Sequence, residues 1–118
     1  RLGNGDMAAQ NHNNAIIASV EKVTGAPIPA AYETAQASET AGSITLEKIM
    51  THKWVAMFGT SEPWYDWRRT DIPNLTTNPI AVVNGIPVRF PTPIDERVSN
   101  ANALVISDIL LPVWWDNN

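Results

Sequence analysis

Cysteine is absent from all 118 residues. That removes disulfides, thiolate metal sites, thiol nucleophiles and lipid attachment through a cysteine within this stretch. Cations are scarce too: eight Lys and Arg stand against twelve Asp and Glu, for a net charge of −4. Only Arg68 and Arg69 adjoin, so the clustered positive charge that a phosphate backbone requires is missing, and nucleic acid is excluded as a partner. No apolar run is long enough to span a bilayer, and Arg1 to Asp6 lack the apolar centre of a signal peptide. The two histidines, His12 and His52, are not accompanied by a Gly-x-Ser-x-Gly turn, so a Ser-His-Asp triad lacks its parts. His52 has no histidine or carboxylate four residues away, and no Asp series has calcium-loop spacing. No metal or other cofactor is therefore expected, although calcium held by backbone and scattered Asp oxygens would leave no such pattern.

What is present fits a small globular chain. Apolar residues make up 44%, an ordinary fraction for a folded domain. Five tryptophans are unusual at this length, and indoles serve as core ballast, interface anchors or sugar platforms. The polar stretch Arg1 to Asn14 reads as loop, with His12 inside it. Asn13 or Asn14 is then placed to cap a helix carrying Ile16, Ile17, Val20 and Val23 on one face, ended by Gly25. Pro29 suits the start of a short helix through Ala35. Thr45 is a good cap for the strongest helix, in which Leu46, Ile49, Met50, Lys53, Trp54, Met57 and Phe58 form a stripe and His52 faces away from it. Ser61, Glu62 and Pro63 open a further helix, with Trp64, Trp67 and Arg68 on one face and Asp66 able to pair with Arg69. So short a connection predicts that these two helices pack as a hairpin.

From Asp71 to Asn78 the chain reads as loop. Asn84 and Gly85 then separate two apolar runs, 79–83 and 86–90, which predicts a small β-hairpin with Pro87 at an edge. Pro91 and Pro93 end it, and Ser99 or Asn100 is placed to cap a short helix bearing Leu104, Val105 and Ile106. The chain closes on Trp114, Trp115 and Asp116. The reading is therefore mainly α: a helical part over 12–70 and a loop-rich part with one β-hairpin over 71–118.

These residues carry a resemblance. Thr45 to Ile49 through Lys53 and Trp54, then Glu62-Pro63-Trp64-Tyr65-Asp66-Trp67-Arg68-Arg69-Thr70, resemble the late helical segment of SusD-like (SusD/RagB) proteins. Further on, Pro87, Arg89, Pro91, Pro93, Glu96 and Asn100 are similar to that family's Pro-x-Arg, Pro-x-Pro, Glu and Asn series. Pro112 to Asp116 resembles the end of many members, and the likeness runs over roughly residues 12 to 116. It implies a tetratricopeptide-related helical fold and non-enzymatic capture of an oligosaccharide, or in some relatives a peptide. Capture would occur at the outer membrane of the bacterial cell surface, for uptake through a SusC-type TonB-dependent transporter. Members are several times longer and begin with a lipidated cysteine. The chain is thus expected to be the C-terminal segment of a larger protein, anchored through a part outside it and completed by a missing N-terminal portion.

Each conspicuous residue also has a plain packing explanation. Trp54 lies in the main stripe, which favours core. Trp64, Tyr65, Trp67, Arg68 and Arg69 are candidate ligand contacts through indole stacking and guanidinium hydrogen bonds, yet the preferred reading is that the tryptophans staple the helix hairpin and the arginines tie down carboxylates. Trp114, Trp115 and Asp116 are read as packing elements: adjacent indoles must point differently, so one can pack inward while the other covers a neighbouring surface. A glycosidase needs two carboxylates across a cleft, and Glu62 with Asp66, or Asp95 with Glu96, are the available pairs; surface ion pairing explains both. A glycan hydrolase, a peptide binder and a purely structural helical-repeat protein are the alternatives to glycan binding.

Overall fold

The computed structural model describes residues 3–116. The chain divides into two compact units, Arg1–Pro63 and Trp64–Asn118. In order, its helices are α1 (Gly5–Thr24), α2 (Ala30–Gln36), α3 (Leu46–Ala56), α4 (Glu62–Thr70) and α5 (Ile94–Ser99), with no strand among the described residues. The fold is mainly α, as the residue pattern predicts.

Helix α1 begins well before the expected cap. The Asn4 side chain accepts from the Met7 amide at 3.0 Å, and Asp6 sits in the first turn beside the positive helix end. Gly25 closes the helix at φ 67, with its amide donating to Glu21 O at 2.8 Å, a backbone geometry that a Cβ disfavours. The segment read as loop is helical because Ala9, His12 and Ile16, all buried, continue one face at three- and four-residue spacing. Small and polar side chains on that face concealed the period.

Asn13, freed from capping, reaches across the unit. Its Nδ2 donates to Glu39 O at 2.9 Å, and its Oδ1 accepts from the Glu39 amide at 3.0 Å. Glu39 in turn receives Lys48 Nζ at 2.7 and 2.9 Å and the Ser43 hydroxyl at 2.5 Å. These bonds hold the Glu39 carboxyl below its usual range, the Lys48 bond most and Ser43 next. Gly5 lets the same connection pass close to α1, since a Cβ there would lie 3.1 Å from Ala41. Within this unit α1 packs on both α2 and α3. Thr45 caps α3 as predicted, accepting from the Lys48 amide at 3.2 Å. The expected hairpin of α3 with α4 spans the boundary between the two units, so the helix pairs inside the first unit are those made by α1. Trp54 is half-buried, and Phe58, beyond the end of α3, is 88% exposed.

The second unit holds α4 from Trp64 onward, followed by long extended chain that α5 interrupts. Helix α4 stops where Asp71 turns to φ 55 and its amide donates to Trp67 O at 2.7 Å, a conformation Asp tolerates. The predicted β-hairpin does not form. Neither Asn84 nor Gly85 takes a positive φ, and the segment after them pairs with a later stretch: Val88 N with Ile109 O at 3.0 Å, and Thr92 N with Ile106 O at 2.9 Å. Proline placement explains the choice. Successive N–H groups of an extended chain point to opposite edges, and Pro87, Pro91 and Pro93 occupy alternate positions, stripping donors from one edge and leaving those of Val88 and Thr92 on the other. Gly85 allows close passage instead of a turn, because a Cβ there would meet the Leu110 side chain at 2.7 Å.

The short helix expected after Asn100 is also displaced. Helix α5 precedes that residue, and residues 104–106 run extended, with the Thr92 hydroxyl donating to Leu104 O at 2.9 Å and accepting from the Ile106 amide at 2.8 Å. Asn100 closes α5 by donating from Nδ2 to Glu96 Oε1 at 2.6 Å.

Replacing Asn13 by Ala removes both bonds to the Glu39 backbone. The variant is expected to lose about 1–2 kcal/mol in urea unfolding followed by far-ultraviolet circular dichroism; an unchanged midpoint would show that this clamp does not hold the connection.

Candidate functional site

The aromatic and cationic residues singled out in the sequence converge on α4. Their spacing dictates two fates, because positions three and four apart share a face while intervening ones do not. Asp66, Trp67 and Arg68 are buried, whereas Tyr65 is 40% exposed and the Arg69 side chain 61%.

Arg68 sits between two indoles, its guanidinium carbon 4.5 Å from the Trp64 ring centre and 4.6 Å from that of Trp115. A planar guanidinium stacks on aromatic faces in a way an ammonium does not. Its Nε lies 3.7 Å from Asp116 Oδ2, whose side chain is 1% exposed; the distance makes this a contact of charges, longer than a hydrogen bond. Trp64 is fixed independently, donating from Nε1 to Pro87 O at 2.7 Å and meeting the Phe90 ring at 4.9 Å and the Tyr65 ring at 5.2 Å. Asp66 pairs with Arg69 one turn on, as predicted, and its backbone carbonyl accepts from the Thr70 hydroxyl at 2.8 Å.

The structure thus brings together Trp64, Tyr65, Trp67, Arg68, Arg69, Pro87, Trp115 and Asp116. Of the two adjacent indoles, Trp115 faces Arg68 and Trp114 points the other way, 92% exposed. Arg89 is half-buried, while Glu96 and Asn100 close α5. Phe90, 70% exposed beside Trp64, had not been singled out, and nothing local marks it; neither does any short-range signal couple Arg68 to Asp116, 48 positions later. Among the carboxylates weighed for hydrolysis, Asp66 is bound to Arg69, and Asp95 and Glu96 lie in the first turn of α5.

A second feature lies in the first unit. A groove of about 640 Å³ runs along α1 and α3, lined by Ala8, Ile16, Val20, Tyr32, Ile49 and Ala56 among others. At its edge, His52 Nδ1 stands 3.1 Å from His12 Nε2, and His52 Nε2 stands 3.1 Å from Gln36 Oε1. Both histidines correct the sequence reading: His12 is buried within α1, and His52 turns toward it. Burial lowers the His12 pKa from its ordinary value, His52 and Lys48 lower it further, and Glu39 opposes them. Among the described residues no three His, Asp or Glu side chains are grouped to hold a metal, and no helix is long and apolar enough to cross a membrane.

Comparison with known proteins identifies a family. A family model described as "SusD-like_2: Starch-binding associating with outer membrane" matches residues 2–93. The match takes in α1 through α4 and the proline-spaced segment, and ends before α5. No curated protein and no solved structure matches the chain.

Substituting Arg68 by Lys keeps the charge and removes the planar group that fills the space between Trp64 and Trp115. A loss of about 1–2 kcal/mol is expected in urea unfolding followed by tryptophan fluorescence; wild-type stability would mean that the charge alone suffices.

Proposed function

The chain belongs to the SusD-like family, and from that membership we propose that it serves the non-enzymatic capture of an oligosaccharide at the bacterial cell surface. The family match is the single observation that carries this reading. The captured glycan passes to a SusC-type TonB-dependent transporter, and the anchor lies in a part of the protein outside this chain. We place the chain as the C-terminal segment of a longer protein. In support, Phe58, Val82, Ile94, Val98 and Trp114 are each at least 71% exposed, more apolar surface than a lone chain of this size ordinarily leaves in water.

Within that protein the chain is chiefly scaffold. Trp67 and Arg68 are buried and Trp64 is engaged by Arg68, Pro87, Tyr65 and Phe90, which favours a stapling role for all three. Among the candidate contacts on α4, Tyr65 and Arg69 are the two with exposed side chains. An aromatic face for the apolar side of a pyranose, beside a guanidinium for its hydroxyls, is the combination that sugar recognition uses. Asp66, held by Arg69, is poorly placed to serve as a general acid, and this favours binding over hydrolysis.

Affinity electrophoresis of the full-length protein carrying this chain, through gels containing starch and a panel of other soluble glycans, tests the reading. Retardation by at least one glycan is expected without turnover. Tyr65→Ala should weaken it roughly tenfold at unchanged stability, as loss of one stacked ring of about 1–1.5 kcal/mol requires, whereas Trp67→Ala should cost about 3 kcal/mol of stability. A folded protein that no glycan retards would contradict glycan capture.

A further inference from the structure

The histidine pair joining α1 to α3 is engaged in a way that its sequence positions gave no reason to expect. With Gln36 Oε1 as the acceptor at 3.1 Å, His52 must carry its proton on Nε2. Its Nδ1 is then an acceptor, and the 3.1 Å contact requires His12 to carry its proton on Nε2. One chain of donors thus runs from α1 through α3 to α2 with both rings neutral, and a second proton on His12 would place a cation on a buried ring. The two rings lie 5.0 Å apart between centres, so charging both places two cations at a distance where they repel.

We propose that His12 and His52 form a proton-sensitive lock, closed when both are neutral, whose protonation loosens α3 from α1 and opens the groove between them. The surroundings of His12 favour the neutral form. From α3 it faces His52 and Lys48, both opposing a positive charge, and from the connection after α2 it faces Glu39, the one group favouring it. Glu39 is itself committed to Lys48 and Ser43, and Lys53 adds a further cation along the groove. The His12 pKa is lowered from 6.5, by burial first and by His52 second. A group that holds its proton less tightly when folded stabilises the fold fully above its unfolded pKa. That contribution falls as pH drops from about 6.5 toward the folded value, and each unit of pKa difference multiplies the unfolded fraction about tenfold. Glu39 acts in a separate window: its carboxyl is depressed below 4.5, so its contribution is present above that pH and is lost only as pH falls further.

The test pairs unfolding with direct observation of the rings. Between pH 7.5 and 5.0, wild-type stability should fall while the His12→Gln, His52→Asn double variant stays level, since Gln offers a donor and Asn an acceptor with no proton to gain. Long-range nitrogen–proton spectra of the wild type at pH 7.5 should show both rings protonated at Nε2, with His12 titrating below 6.5. A double variant that declines in parallel with wild type overturns the lock. If the double variant does not fold, the spectra decide: His12 titrating at or above 6.5, or His52 protonated at Nδ1 in the neutral state, overturns it as well.

Discussion

The second unit depends on one guanidinium. Between Trp64 and Glu96 there is no sheet and, after α4, no helix until α5, so the chain from 71 to 93 has few backbone partners of its own. Arg68 supplies a centre for it. Trp64 brings α4 to one face of the guanidinium, Trp115 brings the C-terminal stretch to the other, and Asp116 places a carboxylate beside it. Trp64 then passes the attachment on, through its N–H to Pro87 O and its ring to Phe90. A buried charge is costly unless partnered, and this one is partnered by two ring faces and an anion. Trp64, an indole that suggests sugar stacking, is thus largely consumed in holding the chain, which is why accessible Tyr65 and Arg69 carry the proposed contact.

The first unit solves a different problem with similar economy of apolar material. Ala9, Ile16 and Ala37 are its buried apolar side chains among the described residues, too little to specify how three helices meet. Polar bonds supply the specification: Asn13 grips the Glu39 backbone, Glu39 gathers Lys48 and Ser43, and the histidines join α1 to α3 and α2. Each such bond contributes modestly when made and costs more when broken in a buried place. Geometry in this unit is therefore sensitive to single polar substitutions and, through the histidines, to pH.

Much of this was legible before any coordinates. The Thr45 cap, the Gly25 stop, the start of α4 at Glu62 and the Asp66–Arg69 pair are local signals, each set by residues within a turn of one another. The family resemblance was likewise readable from the Trp, Arg and Pro series, and the matching family agrees with it. Failures arose where partners are distant. Asn84-Gly85 is a good hairpin dipeptide, but the prolines on one edge of the following segment and a better partner at 104–110 overrode it. The start of α1 was missed because its buried face uses Ala9 and His12, residues that do not register as apolar period. Arg68 with Asp116, and His12 with His52 forty positions on, are contacts that no spacing rule predicts.

The dependence of the second unit on Arg68 is tested most directly by residue-resolved amide hydrogen exchange in the wild type and the Arg68→Lys variant. In the wild type the amides of Val88, Thr92 and Ile106, each bonded across the long loops, should be protected. In the variant that protection should collapse while α1 keeps its own. Unchanged protection at those three amides would contradict the account, since pairing of the proline-spaced segment with 104–110 would then stand without the guanidinium.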